Sequence, residues 1–126
     1  MNEIVFQNIF DKLQEYLPNN WKKVILYAGY TVGSYSIKYY VDCGEGQYID
    51  CFDLYGITER QQLVRLFMEI DKILLPIRNE LKEGKKWTVM TMIVDSEGNM
   101  RSEFDYENIN ETSIEYEKGW KERYLM

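Results

Sequence analysis

Residues 21–42, WKKVILYAGYTVGSYSIKYYVD, decide the fold. Over residues 21–30 apolar side chains fall on both alternating faces, the pattern of a strand covered by neighbours on each side. Gly33 punctuates the run and marks a turn. Beyond it Tyr35, Ile37, Tyr39 and Val41 alternate with Ser34, Ser36, Lys38 and Tyr40, so the period of two continues. Gly44 and Gly46 mark a second turn, and residues 47–52 supply a third short strand. Turns this short join antiparallel strands, so the segment reads as a meander.

Helices flank it. In residues 2–17, Ile4, Val5, Phe6, Ile9, Phe10, Leu13, Tyr16 and Leu17 recur at helical spacing on one face. Asn2 suits the N-cap, and Pro18 ends the helix because the residue before a proline is pushed out of the α region. Residues 59–82 read as the longest helix, with Leu63, Phe67, Ile70, Leu74, Ile77 and Leu81 as its core stripe. Thr58 and Gln61 have capping-box spacing, Pro76 predicts a kink, and Gly84 is a natural stop.

A second hairpin follows. Trp87, Val89, Thr91 and Ile93 are expected on one face and Thr88, Met90, Met92 and Val94 on the other, with the turn at residues 95–99. Met100, Ser102, Phe104 and Tyr106 alternate with Arg101, Glu103 and Asp105 as a half-exposed strand. Residues 119–125 read as a short terminal helix that docks Trp120 and Tyr124. The order α-β-β-β-α-β-β-α predicts an α+β fold, with helices packed on an antiparallel sheet of about five strands. The 126 residues fit one domain, 1–126, and 45% hydrophobic with 15% aromatic residues supplies a core without metal or disulfide.

No apolar run approaches the ~18 residues of a membrane helix. Met1-Asn2-Glu3 does not open a signal peptide, so a cytoplasmic location is the expectation. Cys43 and Cys51 read as small apolar residues, since their spacing is not that of a zinc site. The chain has no histidine, so Ser-His, Cys-His and His-metal arrangements are excluded. No cofactor or metal is expected, and the reading is of a non-enzyme. A net charge of −6 disfavours direct nucleic-acid binding and favours a basic partner, although acidity alone also serves solubility.

Three groups of residues are candidates for function. Asp42, Glu45, Asp50 and Asp53 form an acidic cluster without a basic residue, at a spacing unlike a calcium loop. It reads as a solvated edge or a contact surface. Residues 103–117 hold Glu103, Asp105, Glu107, Glu111, Glu115 and Glu117 and no basic residue. They are either a solvated loop protecting a sheet edge or a negative patch that docks on a basic protein. Eleven tyrosines is a high number, and Tyr40, Tyr48 and Tyr55 are the expected exposed contacts. A carbohydrate- or ligand-binding aromatic face fits the tyrosines equally well. That reading needs a pocket among Tyr27, Tyr39 and Trp87.

The order of several short motifs resembles one family. Leu17-Pro18-x-x-Trp21-x-Lys23-Val24, Leu26-Tyr27-Ala28 and residues 86–91 (KWTVMT) are similar to the YezG family of bacterial antitoxins. So are Val94-Asp95-x-x-Gly98-x-Met100, Phe104-Asp105-Tyr106 and the Trp120-Lys121-x-Arg123-Tyr124-Leu125 ending. The resemblance implies an α+β immunity protein that binds and neutralises a cognate toxin, usually a nuclease domain of a polymorphic toxin exported by a type VII system. It carries over no catalytic residues. Its signature positions, Pro18, Trp21, Trp87, Tyr106 and Trp120, look mainly structural. Asp42, Glu45, Asp50, Asp53, Tyr40, Tyr48, Tyr55, Glu103, Asp105 and Glu107 are then candidates for toxin binding. A toxin-specific secretion chaperone is the neighbouring alternative, and the oligomeric state stays open.

Overall fold

A computed structural model describes residues 2–54 and 57–126, with backbone alone at 57 and 58. Asn2 caps the first helix, α1 (Glu3–Gln14), its side-chain oxygen accepting from the Val5 amide at 3.1 Å. The helix ends earlier than the periodicity predicts. The amides of Tyr16 and Leu17 bond instead to the carbonyls of Leu13 and Gln14, tightening the chain ahead of Pro18.

Strands β1 (Lys23–Thr31) and β2 (Ser34–Asp42) form the expected hairpin, with Thr31 opposite Ser34 and Lys23 opposite Asp42. Gly33 has a φ of 75°, a conformation its turn requires and a side chain disfavours. The third strand, β3 (Tyr48–Asp50), is shorter than predicted. The Asp50 carboxylate accepts from the Phe52 amide and starts a 3₁₀ turn over Cys51–Asp53, which ends the pairing.

Helix α2 (Ile57–Asn79) runs continuously through Pro76, which lies on the solvent side. Leu63, Leu66, Phe67, Ile70 and Leu74 are buried, while Ile77 and Leu81 are half-buried near and beyond the helix end. The capping role expected of Thr58 lies outside the described side chains. Strands β4 (Val89–Asp95) and β5 (Met100–Asp105) make the second hairpin, and α3 (Ser113–Tyr124) closes the chain.

The sheet order is β3-β2-β1-β4-β5, antiparallel throughout, which is the predicted α+β architecture. Helices cover both faces of the sheet. Val24, Leu26, Ala28, Tyr39, Val41, Met90, Met92 and Val94 face α1 and α2 in the larger core. Ile25, Tyr27, Tyr40, Val89, Ile93 and Ile109 meet Trp120 of α3 in a smaller core behind the sheet. This two-sided cover explains why β1 is buried on both alternating faces.

Trp87 departs from its predicted face. It precedes β4 and turns into the α1/α2 core, against Tyr30 at 5.6 Å and Phe104 at 5.7 Å. There Arg78 of α2 donates from Nε to the Trp87 carbonyl at 2.7 Å and lies over the Tyr30 ring. Tyr30 in turn donates its hydroxyl to Asp71 at 2.7 Å, so the end of α2 is tied to the sheet by polar as well as apolar contacts.

Gly29 records how tightly the smaller core is filled. A Cβ at this position would lie 2.6 Å from the Tyr27 hydroxyl oxygen and 2.9 Å from ring carbons, inside contact distance. Tyr27 packs edge-on against Trp120 at 5.0 Å and has little room to retreat. Gly29→Ala is therefore expected to destabilise the fold by about 1–3 kcal/mol, the usual range for overpacking. Urea denaturation measures this, and an unchanged midpoint would show that the Tyr27 ring moves freely.

Candidate partner-binding surfaces

The acidic cluster of residues 42–53 has local structural tasks. The Asp42 carboxylate accepts from the amides of Gly44, Glu45 and Gly46 at 2.8–3.3 Å and holds the β2–β3 turn. Asp50 caps the 3₁₀ turn. Glu45 and Asp53 are exposed. The cross-strand pairs Asp42–Tyr48 and Tyr40–Asp50 place these four side chains on the α3 side of the sheet. Tyr48 is half-buried there.

Tyr40 is not the exposed contact the alternation predicted. It is 4% exposed, beneath α3, with its ring 5.6 Å from that of Trp120. Burial pushes its phenol well above the ordinary tyrosine range. Its neighbour on that strand face, Lys38, is held by Glu117 at 3.3 Å. Tyr55 lies outside the described residues.

The acidic stretch from Glu103 onward divides in two. Glu103 and Asp105 project from β5 toward α3 and anchor it. Tyr124 donates its hydroxyl to Glu103 at 3.1 Å, and Tyr116 donates to Asp105 at 2.7 Å. The second half of the stretch is helical. Tyr116, Trp120 and Tyr124 recur every four residues and point to the sheet, a periodicity that reveals α3 from residue 113 rather than 119.

Glu107, Glu111 and Glu115 are left exposed, and their carboxylates have no hydrogen-bond or ion-pair partner among the described residues. These three, together with Glu122 on the outer side of α3, are the freest negative charges of this surface. Glu122 lies beyond the acidic stretch of residues 103–117, inside the terminal helix expected over residues 119–125.

The Tyr116 hydrogen bond lowers the Asp105 carboxyl pKa below the ordinary aspartate value, joined by the amides of Glu107 and Tyr106. A depressed folded-state value means that the contribution to stability is complete above the unfolded value of about 3.9 and is lost as pH falls through the folded one. Acid below about pH 4 is thus expected to loosen α3. A thermal melt series from pH 6 to pH 2.5, on the order of the carboxylate range, reads this. Tyr116→Phe should flatten the low-pH part of the series, and an unaltered profile would show that the pair is not coupled to stability.

A third surface was not anticipated. Around the β1–β2 turn, Val32 is 87% exposed, Tyr35 37% and Tyr106 57%. The Val32 amide donates to the Asn110 side chain at 2.9 Å, joining this turn to the segment before α3. Tyr106 is the signature position that does not pack. Pro18, Trp21, Trp87 and Trp120 are half-buried or buried. An exposed valine at a turn has no periodic signal, so only its position beside Tyr35 and Tyr106 in the fold marks it.

The pocket required for a small ligand does not assemble. Tyr27 lies in the α3-side core, whereas Tyr39 and Trp87 lie in the opposite core. Among the described residues no cluster of three metal-ligating side chains is present. Cys51 is buried and its thiol is pushed up to about 12 by burial, so it stays protonated. No described helix is long and apolar enough to cross a membrane.

Comparison with known families gives a match to YezG-like immunity proteins over residues 2–125. The match spans nearly the whole chain, and the chain belongs to that family. A comparison with curated proteins returns no match.

Proposed function

We propose that this YezG-like immunity protein binds a cognate toxin whose active domain is a nuclease, and neutralises it by covering the basic groove that receives nucleic acid. The family match over residues 2–125 carries the immunity role. That the toxin is a nuclease is what resemblance to this family implies, and the charge of the chain supports it. A groove built for phosphates is lined by Lys and Arg, and the complementary surface is a row of unpaired carboxylates. Glu107, Glu111 and Glu115 supply such unpaired carboxylates, with Glu103 and Asp105 near them in the chain and Asp42, Glu45, Asp50 and Asp53 around β3, at the opposite edge of the sheet. Tyr48 adds aromatic contact area at the β3 edge.

Inhibition needs no chemistry from the immunity protein, because a bound domain excludes substrate by bulk and by like charge. The test is co-expression with the product of the neighbouring gene. Restored growth and a complex that survives purification are the expected results. Continued toxicity with no retained partner would overturn the cognate-pair reading. A retained partner that remains toxic would identify a secretion chaperone instead.

A further inference from the structure

We propose that β5 is a self-pairing edge through which two copies of this chain join their sheets into one. Strand β5 ends the sheet order, and among the described residues no other segment pairs with its outer side. The phase of its ladder follows from the turn. The Asp95 amide donates to the Asn99 carbonyl, and the register pairs Ile93 with Arg101 and Thr91 with Glu103. Backbone groups alternate along an antiparallel strand. Arg101, Glu103 and Asp105 therefore direct theirs to β4, while Met100, Ser102 and Phe104 direct theirs outward.

The sequence of this edge is complementary to itself. An antiparallel pair centred on Ser102 places Met100 opposite Phe104 of the second copy, and Arg101 opposite its Glu103. The two-fold axis repeats both pairs. Every outward amide and carbonyl of the three residues then finds a partner. Met100 and Phe104, half-buried at the rim of the larger core, lose their remaining exposure. Asp105 falls opposite Asn99, so no like charges meet.

Exposed edges are usually blunted by proline, by a bulge or by charges of one sign, each of which rejects a second copy. Strand β5 has no proline, and its two outermost charges are of opposite sign. Access is also open. A groove of about 500 Å³ separates Glu3, Phe6 and Gln7 of α1 from residues 98–102, so the helix stands back from the edge. The opposite edge of the sheet is the three-residue β3, which offers far less to pair with.

Sedimentation velocity on the full chain tests this. An interface of one short strand is small, so the association is expected in the micromolar range and is read between about 1 and 500 µM. The wild type should pass from monomer to dimer over that range. Arg101→Glu should weaken association by about tenfold or more, since it sets like charges opposite one another; Glu103→Arg serves only as its partner in a mixture, because Glu103 also accepts from Tyr124 of α3. An equimolar mixture of the two variants should recover it, because every cross-pair in the mixed dimer is again of opposite sign. Ser102→Pro removes an outward amide at a position where an edge tolerates proline, and should abolish the dimer with the circular dichroism of the fold unchanged. Monomer at all concentrations, a dimer indifferent to Ser102→Pro, or a mixture no tighter than its components would each overturn the proposal. Should Ser102→Pro fail to fold, the charge exchange decides alone.

Discussion

Trp120→Ala is expected to lower folding stability by about 3–5 kcal/mol and to release α3 from the sheet. Trp120 is 2% exposed and is the buried residue of α3. Its ring touches Tyr27, Tyr40 and Tyr124 at centroid distances of 5.0, 5.6 and 5.1 Å. Its indole nitrogen donates to the Thr91 hydroxyl at 2.9 Å, and Thr91 is itself 3% exposed. Truncation removes the largest side chain of the smaller core and leaves that hydroxyl without its donor.

Domains of this size are stable by only about 5–15 kcal/mol, so the loss is a large part of the whole. Urea denaturation measures it, and limited proteolysis shows where the chain opens. Cleavage should concentrate after residue 106, while the α1/α2 side of the sheet resists. Trp120→Phe keeps most of the ring contacts and should lose distinctly less. A loss below about 1 kcal/mol in Trp120→Ala would mean that α3 is held mainly by its tyrosine–carboxylate bonds.

Reversing Glu107, Glu111 and Glu115 together to lysine is expected to slow association with the toxin by about tenfold or more at low salt. These carboxylates are exposed and unpartnered, so the variant should melt like the wild type. Reversing Glu103 or Asp105 is a poorer probe. Each accepts a hydrogen bond from an α3 tyrosine, so a weakened complex would confound docking with loosening of the helix. Stopped-flow association over a salt series separates the terms. The difference between variant and wild type should shrink as the screening length falls toward about 8 Å near physiological ionic strength. An unchanged association rate would move the interface away from this stretch, and Val32, Tyr35 and Tyr106 would be the next surface to alter.

Element order was legible along the chain because it rests on short-range chemistry. Period two in residues 34–41, three- and four-residue steps in residues 63–74, and glycines at 33, 44, 46 and 98 are each written within a few residues of one another. The Asn2 cap and the turn at residues 95–99 were readable for the same reason. Boundaries were less so. Asp50 ended β3 through a side-chain bond that competes with the ladder, and α3 began before the apolar signal that announced it.

The placement of the candidate residues was of another kind. Alternation says that Tyr40 and Lys38 share a face, and that much holds. Whether that face meets water depends on a helix eighty residues away, whose Trp120 covers Tyr40. The same helix converts Glu103 and Asp105 from free charges into anchors, and leaves Glu107, Glu111 and Glu115 as the unpaired ones. A pattern read within one strand reports which residues lie together. Which of them remain accessible is set by contacts between segments far apart in the chain, because burial is a property of the packed layers and not of any one of them.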